Sequence, residues 1–197
     1  MLITLRSLTF LVLLLFLGTC AGNEASEDGS HHHEAAPAAN ATAGKSKSPH
    51  TTAMGNIGNA HVHIEYSSPS VRGRTIWGGL VAYDQVWSTG AHNATAVTFS
   101  EPVRVGDTDI AAGTYGFFTI PGREEWIIIL NENYDQHLAD DYDQSLDLIR
   151  VTVQPEKLPE PVESLTYAVE PSADGAGGAI TVAWDSLKVA LPVSATE

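Results

Sequence analysis

The stretch AHVHIEY, residues 60–66, alternates apolar and polar side chains at every position. This period of two is typical of a β-strand with one face buried and the other in water. The same alternation appears in TAVTF, residues 95–99. The segments at 103–105 and 108–110 flank Gly106-Asp107, a pair that favours a tight hairpin. These patterns predict a domain built from strands joined by turns.

The same organisation continues towards the C-terminus. Residues 126–130, WIIIL, are apolar on both faces and predict a strand inside a sheet. Further strands are predicted at 149–153, 165–169, 180–184 and 187–191, with loops at 155–161, 175–178 and 185–186. A single helical turn is predicted within 140–148. We expect a single all-β domain of about nine short strands, a β-sandwich or jelly-roll. Its inward-facing aromatic residues are expected to include Tyr66, Phe99, Trp126 and Trp184.

Length and charge limit the possible functions. The chain has 197 residues, with ten Lys and Arg against 24 Asp and Glu, a formal net charge of -14. Such a chain repels phosphate backbones, so we expect no nucleic-acid partner. Residues 49–197 are enough for one globular domain with a core of its own.

The N-terminus predicts export from the cytoplasm. Arg6 precedes an apolar run that is too short to span a bilayer, as in a secretory signal peptide covering residues 1–20. Cys20, the only cysteine, stands where a bacterial lipoprotein signal is cleaved and lipidated. We expect an extracytoplasmic protein, held in the cell envelope by a lipid on Cys20 or otherwise secreted. Residues 21–48 are poor in large apolar side chains and predict a flexible tether.

Several spaced motifs carry a family resemblance. They include VRGR at 71–74, IWGGLV at 76–81, VW at 86–87, TGA at 89–91 and AGTY at 112–115. Together they resemble a family of secreted or lipid-anchored proteins common in Bacteroidetes, the domain of unknown function 2911. The resemblance covers about residues 50–192 and implies a fold and a compartment, but no reaction. Many members have an arginine and an asparagine where this chain has Ser88 and His92.

One group of residues suggests a ligand site. Arg72 and Arg74 flank Gly73 in a chain with few cations, and guanidinium groups bind carboxylate or sulfate groups through paired hydrogen bonds. The aromatic residues of the following connection could stack on a sugar ring or pack in the core. We predict a ligand site formed by Arg72, Arg74, Trp77, Trp87 and His92. The alternative for the arginines is ion pairing with the abundant carboxylates.

Metal sites are a further possibility. His61 and His63 lie on one face of the predicted strand, with a spacing that suits two ligands of a zinc ion, although a solvated strand face has the same pattern. His50 and His92 are further candidate ligands or bases, and the histidines at 31–33 lie in the predicted tether. Residues 141–147 carry oxygen side chains at alternating positions, as in a calcium loop. A structural ion pair between Asp147 and Arg150 is the alternative there.

The chain contains no nucleophile elbow, zinc-protease motif or phosphate-binding glycine loop. Our leading hypothesis is therefore a non-enzymatic binding module for a glycan or another small anionic ligand. One alternative is a metal-dependent enzyme that acts on an envelope substrate. Another is an interaction component of the envelope that binds a second protein. No cofactor is predicted, although a divalent metal is possible.

Overall fold

The computed structural model describes residues 46–196. Within this range the chain forms ten β-strands and one turn of 3-10 helix, Gln144–Leu146. The strands are β1 (His50–Ile57), β2 (Ala60–Ser67), β3 (Thr95–Phe99), β4 (Val103–Val105), β5 (Thr108–Ile110), β6 (Gly113–Pro121), β7 (Trp126–Asn131), β8 (Asp147–Val153), β9 (Glu156–Pro171) and β10 (Gly177–Ala195). The predicted signal peptide, Cys20, the histidines at 31–33 and most of the tether lie outside the described residues.

The strands form two antiparallel sheets. Six strands pair in the order β1-β2-β3-β6-β7-β8, and four pair in the order β5-β4-β10-β9. Alternate side chains of both sheets meet in one apolar core, which confirms the predicted all-β sandwich. The four predicted core aromatics are buried, each no more than 6% exposed: Tyr66, Phe99, Trp126 and Trp184.

The predicted hairpin at Gly106-Asp107 is confirmed, since it joins β4 and β5. Two predicted loops are wrong. Residues 155–161 fall mostly within β9, and residues 185–186 form a bulge inside β10, where Asp185 has a φ of 50°. Pro159 and Pro161 are tolerated because β9 is an edge strand with an irregular register at this point. Strand β1 was not predicted, because the polar sequence HTTAMGNI shows no clear alternation.

The outer face of the six-stranded sheet is partly covered by two long connections. Phe118 and Ile129 point to this face and are fully buried, each 0% exposed. They pack with Ala94 and, from the connections, with Val86 and Tyr142. This second apolar cluster holds residues 68–94 and 132–146 against the sheet, and these two connections build the candidate site.

Candidate functional site

The connection between β2 and β3, residues 68–94, is fixed by backbone hydrogen bonds to three parts of the fold. Ser68 N–H donates to the carbonyl of Pro49, just before β1, and Val71 N–H donates to the backbone carbonyl of Glu163 in β9. Further along, Trp87 and Thr119 of β6 exchange both of their backbone hydrogen bonds, at 2.8 and 2.9 Å. The long connection therefore has a defined path over the edge of the sandwich.

A tight turn sets the positions of the two arginines. Arg72 and Gly73 have φ values of 50° and 68°, and Arg74 N–H donates to the Val71 carbonyl at 3.0 Å. Two successive left-handed residues inside such a hydrogen bond are the pattern of a type I′ turn. Glycine takes this conformation without strain, and Arg72 is further held by its N–H bond to the carboxylate of Glu163.

Backbone carbonyl groups hold both guanidinium groups. Arg74 donates from Nε to the Val71 oxygen at 3.1 Å and from Nη2 to the Ser70 oxygen at 2.5 Å. Arg72 donates from Nη2 to the Lys47 oxygen at 2.7 Å. Within residues 46–196, neither arginine forms an ion pair with a carboxylate. The alternative expectation of ion pairing is thus not met in this part of the chain.

These arginines line a groove of about 330 Å³, which we call the basic groove. Its cationic residues are Lys47, Arg72 and Arg74, and its apolar walls include Leu80, Trp87 and Trp184. Leu80 is 51% exposed at the rim, whereas Trp184 is only 1% exposed and belongs to the core. The groove therefore combines three cations with an aromatic floor.

All four tryptophans of the chain meet below and beside this groove. Trp87 stacks on Trp184 with ring centres 5.8 Å apart. Trp77 makes edge-on contacts with Trp87, Trp126 and Trp184, and its Nε1 is buried without a hydrogen-bond partner among the described residues. The structure thus places Trp77 in the tryptophan cluster, not on the groove wall, where it supports Trp87 and Trp184.

His92 lies beside the groove and does not line it. Its side chain is exposed, its φ is 66°, and its carbonyl accepts a hydrogen bond from Leu138 N–H at 2.8 Å. Three of the five predicted ligand residues, Arg72, Arg74 and Trp87, therefore line one groove. Lys47, Leu80 and Trp184 were missed, because they come from the predicted tether, the middle of the connection and a core strand.

The histidines lie on the outer face of β1 and β2. His61 Nδ1 is 3.0 Å from Oδ1 of Asn56, and His63 Nε2 is buried without a hydrogen-bond partner in the described part of the chain. His50 lines a separate cavity. Residues 46–196 contain no group of three or more His, Cys, Asp or Glu placed to hold a metal ion.

The segment 141–147 forms a buried network with neighbouring strands. Asp147, whose side chain is 5% exposed, accepts hydrogen bonds from Tyr142 Oη at 2.6 Å, Arg150 Nη1 at 2.6 Å and Asn131 Nδ2 at 2.7 Å. The predicted ion pair between Asp147 and Arg150 is confirmed. Burial, together with the hydrogen bond to Asp147, raises the pKa of Tyr142 to about 12. Asp143 instead caps the 3-10 turn through Ser145 N–H.

Two antiparallel sheets, with a groove built by their longest connection, define the chain as an all-β sandwich domain. The family described as "Protein of unknown function (DUF2911)" matches residues 48–193, and the chain belongs to that family. This confirms the resemblance seen in the sequence motifs. No curated protein and no solved structure matches the chain significantly. Within residues 46–196, no helix has the length and hydropathy needed to cross a bilayer.

Proposed function

We propose that this protein is a non-enzymatic binding module whose basic groove holds a small anionic ligand with a flat, weakly polar face, such as an acidic sugar. One observation carries the proposal. Two guanidinium groups are held by carbonyl oxygens, are unpaired with carboxylates in residues 46–196, and belong to arginines that line the same groove as Trp87.

The hydrogen bonds that hold Arg74 leave its charge available. A carbonyl oxygen is neutral, so it orients the guanidinium group without cancelling the positive charge, as a carboxylate would. Nη1 of Arg74 makes no hydrogen bond to residues 46–196, and an incoming carboxylate or sulfate group can accept from it. Arg72 and Lys47 add positive charge to the same groove.

The size and shape of the groove agree with a small ligand. A volume of about 330 Å³ is at the lower end of ordinary ligand pockets, which span roughly 300–1,000 Å³. Trp87 and Trp184 offer aromatic surface, and Leu80 extends the apolar rim. A sugar acid has both features that these groups recognise, an anionic substituent and a ring with an apolar C–H face.

We also propose that the module works outside the cytoplasm, anchored through a lipid on Cys20 and carried on the tether of residues 21–48. The support is the order of a charged start, a short apolar run and a single cysteine within residues 1–20. Metabolic labelling with an alkyne fatty acid tests the anchor. Labelling of the wild type and its loss in Cys20→Ala supports it, whereas equal labelling of both would reject it.

The ligand test uses the full chain and the fluorescence of its tryptophan cluster. Glucuronate, galacturonate and a sulfated monosaccharide are titrated beside the neutral sugars glucose and galactose. We expect saturable binding of at least one acid and weaker binding of its neutral counterpart. Arg72→Gln and Arg74→Gln should each weaken binding roughly tenfold to a hundredfold, as expected for a charge-assisted hydrogen bond of about 1.5–3 kcal/mol.

Arg104→Gln is the matched control. Arg104 is also exposed and lies on the hairpin of β4 and β5, where it pairs with Asp109. The Arg104→Gln substitution makes the same change in net charge but lies away from the basic groove, so ligand affinity should stay at the wild-type level. The proposal fails if no acid binds, or if the Arg72 and Arg74 variants, still folded by circular dichroism, bind as tightly as Arg104→Gln.

A further inference from the structure

A second cavity, of about 360 Å³, lies over the outer face of the six-stranded sheet, and we call it the polar cavity. Glu65 and Ser67 of β2 and Thr98 of β3 contribute to its lining. Asn93 and Asp135 contribute from the two long connections. The cavity therefore has a floor of strand residues and walls built by the connections that also shape the basic groove.

The polar cavity contains unused hydrogen-bonding groups. Within residues 46–196, the side chains of His50, Glu65, Ser67, Asn93 and Asp135 form no hydrogen bond. Ser67 is the least exposed of these residues, at 7%. Its hydroxyl group has no hydrogen-bond partner in residues 46–196 and remains accessible to solvent. Groups of this kind bond to water in the free protein, and the hydroxyl groups of a ligand can replace that water.

The two cavities are neighbours. Three segments of the chain each contribute one residue to each cavity, and the two residues are two positions apart in the sequence. Ser48, Pro69 and Ala91 line the basic groove, and His50, Ser67 and Asn93 line the polar cavity. Two residues of extended chain cover about 7 Å. The exposed His92 lies between Ala91 and Asn93 in the chain and lines neither cavity.

The polar cavity is lined by carboxylates and the basic groove by cations, so a ligand with one acidic end would bind in a single orientation. The carboxylates of Glu65 and Asp135 accept hydrogen bonds from hydroxyl groups, and Asn93 can both donate and accept. Tyr134, 43% exposed, adds an aromatic side chain to the lining. The same carboxylates repel an anion, so an acidic ring belongs in the basic groove and a neutral, hydroxyl-rich ring in the polar cavity.

We propose that the ligand is an acidic oligosaccharide that spans both cavities, its acidic unit in the basic groove and an adjacent neutral unit in the polar cavity. This inference rests on the proposed function of the basic groove, which it extends by a second subsite and by a ligand class. The unused groups around Ser67 and the closeness of the two linings carry it.

Calorimetric titration of the full chain tests the second subsite. The probes are glucuronate, galacturonate, a disaccharide of each acid with a neutral sugar (cellobiouronate and galacturonosyl-rhamnose), and neutral cellobiose. We expect at least one disaccharide to bind tenfold or more tightly than its own monosaccharide acid. Tyr134→Ala and Asn93→Ala should remove most of this gain and leave binding of the monosaccharide acid unchanged. Met54→Ala is the control, because Met54 is 58% exposed on the same sheet and does not line the cavity.

The outcomes separate this inference from the proposed function. If the monosaccharide acids bind but neither disaccharide binds more tightly, the second subsite is rejected and the basic groove stands. If a gain appears but survives in Tyr134→Ala and Asn93→Ala, the neutral unit lies elsewhere and the inference is also rejected. If cellobiose binds and no acid does, the anionic site and the spanning ligand both fail. Absence of all binding rejects both proposals.

Discussion

The buried carboxylate of Asp147 holds the connection that carries Tyr134, Asp135 and Leu138, so its removal tests how the candidate site is supported. It accepts hydrogen bonds from Tyr142 within the connection, from Asn131 at the end of β7 and from Arg150 on β8. The carboxylate is thus the common acceptor for three donors, two at the ends of residues 131–150 and one within that range.

Asp147→Ala should destabilise the protein markedly. Loss of one member of a buried ion pair costs roughly 3–5 kcal/mol, because the remaining polar groups lose their partner. The Arg150 side chain is 30% exposed and can turn to water, and Asn131 keeps its hydrogen bond to the Asp143 carbonyl at 2.9 Å. The lower end therefore applies, about 3 kcal/mol. For a domain of this size, that lowers Tm by roughly 6–12 °C.

The assay is urea denaturation and thermal unfolding of the full chain, followed by circular dichroism. Asp109→Ala is the matched control, since Asp109 also pairs with an arginine, Arg104, but the side chains of that pair are 60% and 51% exposed. Ion pairs in water contribute little, so this variant should stay close to the wild type. The reasoning is refuted if Asp147→Ala unfolds at the same temperature as Asp109→Ala.

Two further predictions concern the effect of alkaline pH on stability and the effect of alanine substitutions at two glycines. Burial and the hydrogen bond to Asp147 raise the pKa of Tyr142 from about 10 to about 12, so the folded state favours the neutral phenol. This contribution to stability is complete below pH 10 and is lost as the pH rises towards 12. In Tyr142→Phe, Tm should therefore fall less between pH 10 and pH 12 than in the wild type. An equal fall in both proteins would contradict the raised pKa of Tyr142. A methyl group at Gly79 would overlap the carbonyl oxygen of Thr75, whereas Gly106, with a φ of 59°, has open space around it. Gly106→Ala should lower the free energy of unfolding by about 1 kcal/mol, because of left-handed strain alone. Gly79→Ala should lower it further in urea denaturation, because the turn around residue 79 must shift. Equal decreases for the two variants would show that this turn adapts freely.

The sandwich could be predicted because its strands have one buried face. In β2, every second residue from Ala60 to Tyr66 is buried, and the alternation is visible in the sequence. Strand β1 was missed since seven of its eight residues are at least partly exposed, so its place is decided by pairing with β2 along its whole length. The proline-rich part of β9 was taken for a loop because local propensity says nothing about which strand is at an edge.

The candidate site was predictable where it is local in the sequence. Arg72 and Arg74 stood out because cations are scarce and a glycine separates them, and both line the basic groove. Trp184 and Lys47 come from opposite ends of the domain, and only the fold brings them to the same groove. Nor does a residue pattern distinguish Trp87, on the groove wall, from Trp77, inside the tryptophan cluster, because both lie in one irregular connection.

The tryptophan cluster makes the floor of the basic groove continuous with the core. Trp184 is 1% exposed, packs in the main core and still lines the groove, and Trp87 stacks on it at 5.8 Å. The guanidinium groups of Arg72 and Arg74 are positioned by a short turn and three backbone carbonyls, and the Arg72 backbone is held by Glu163. In a chain with a net charge of -14, this arrangement holds two guanidinium groups in place without an ion pair to a carboxylate of residues 46–196.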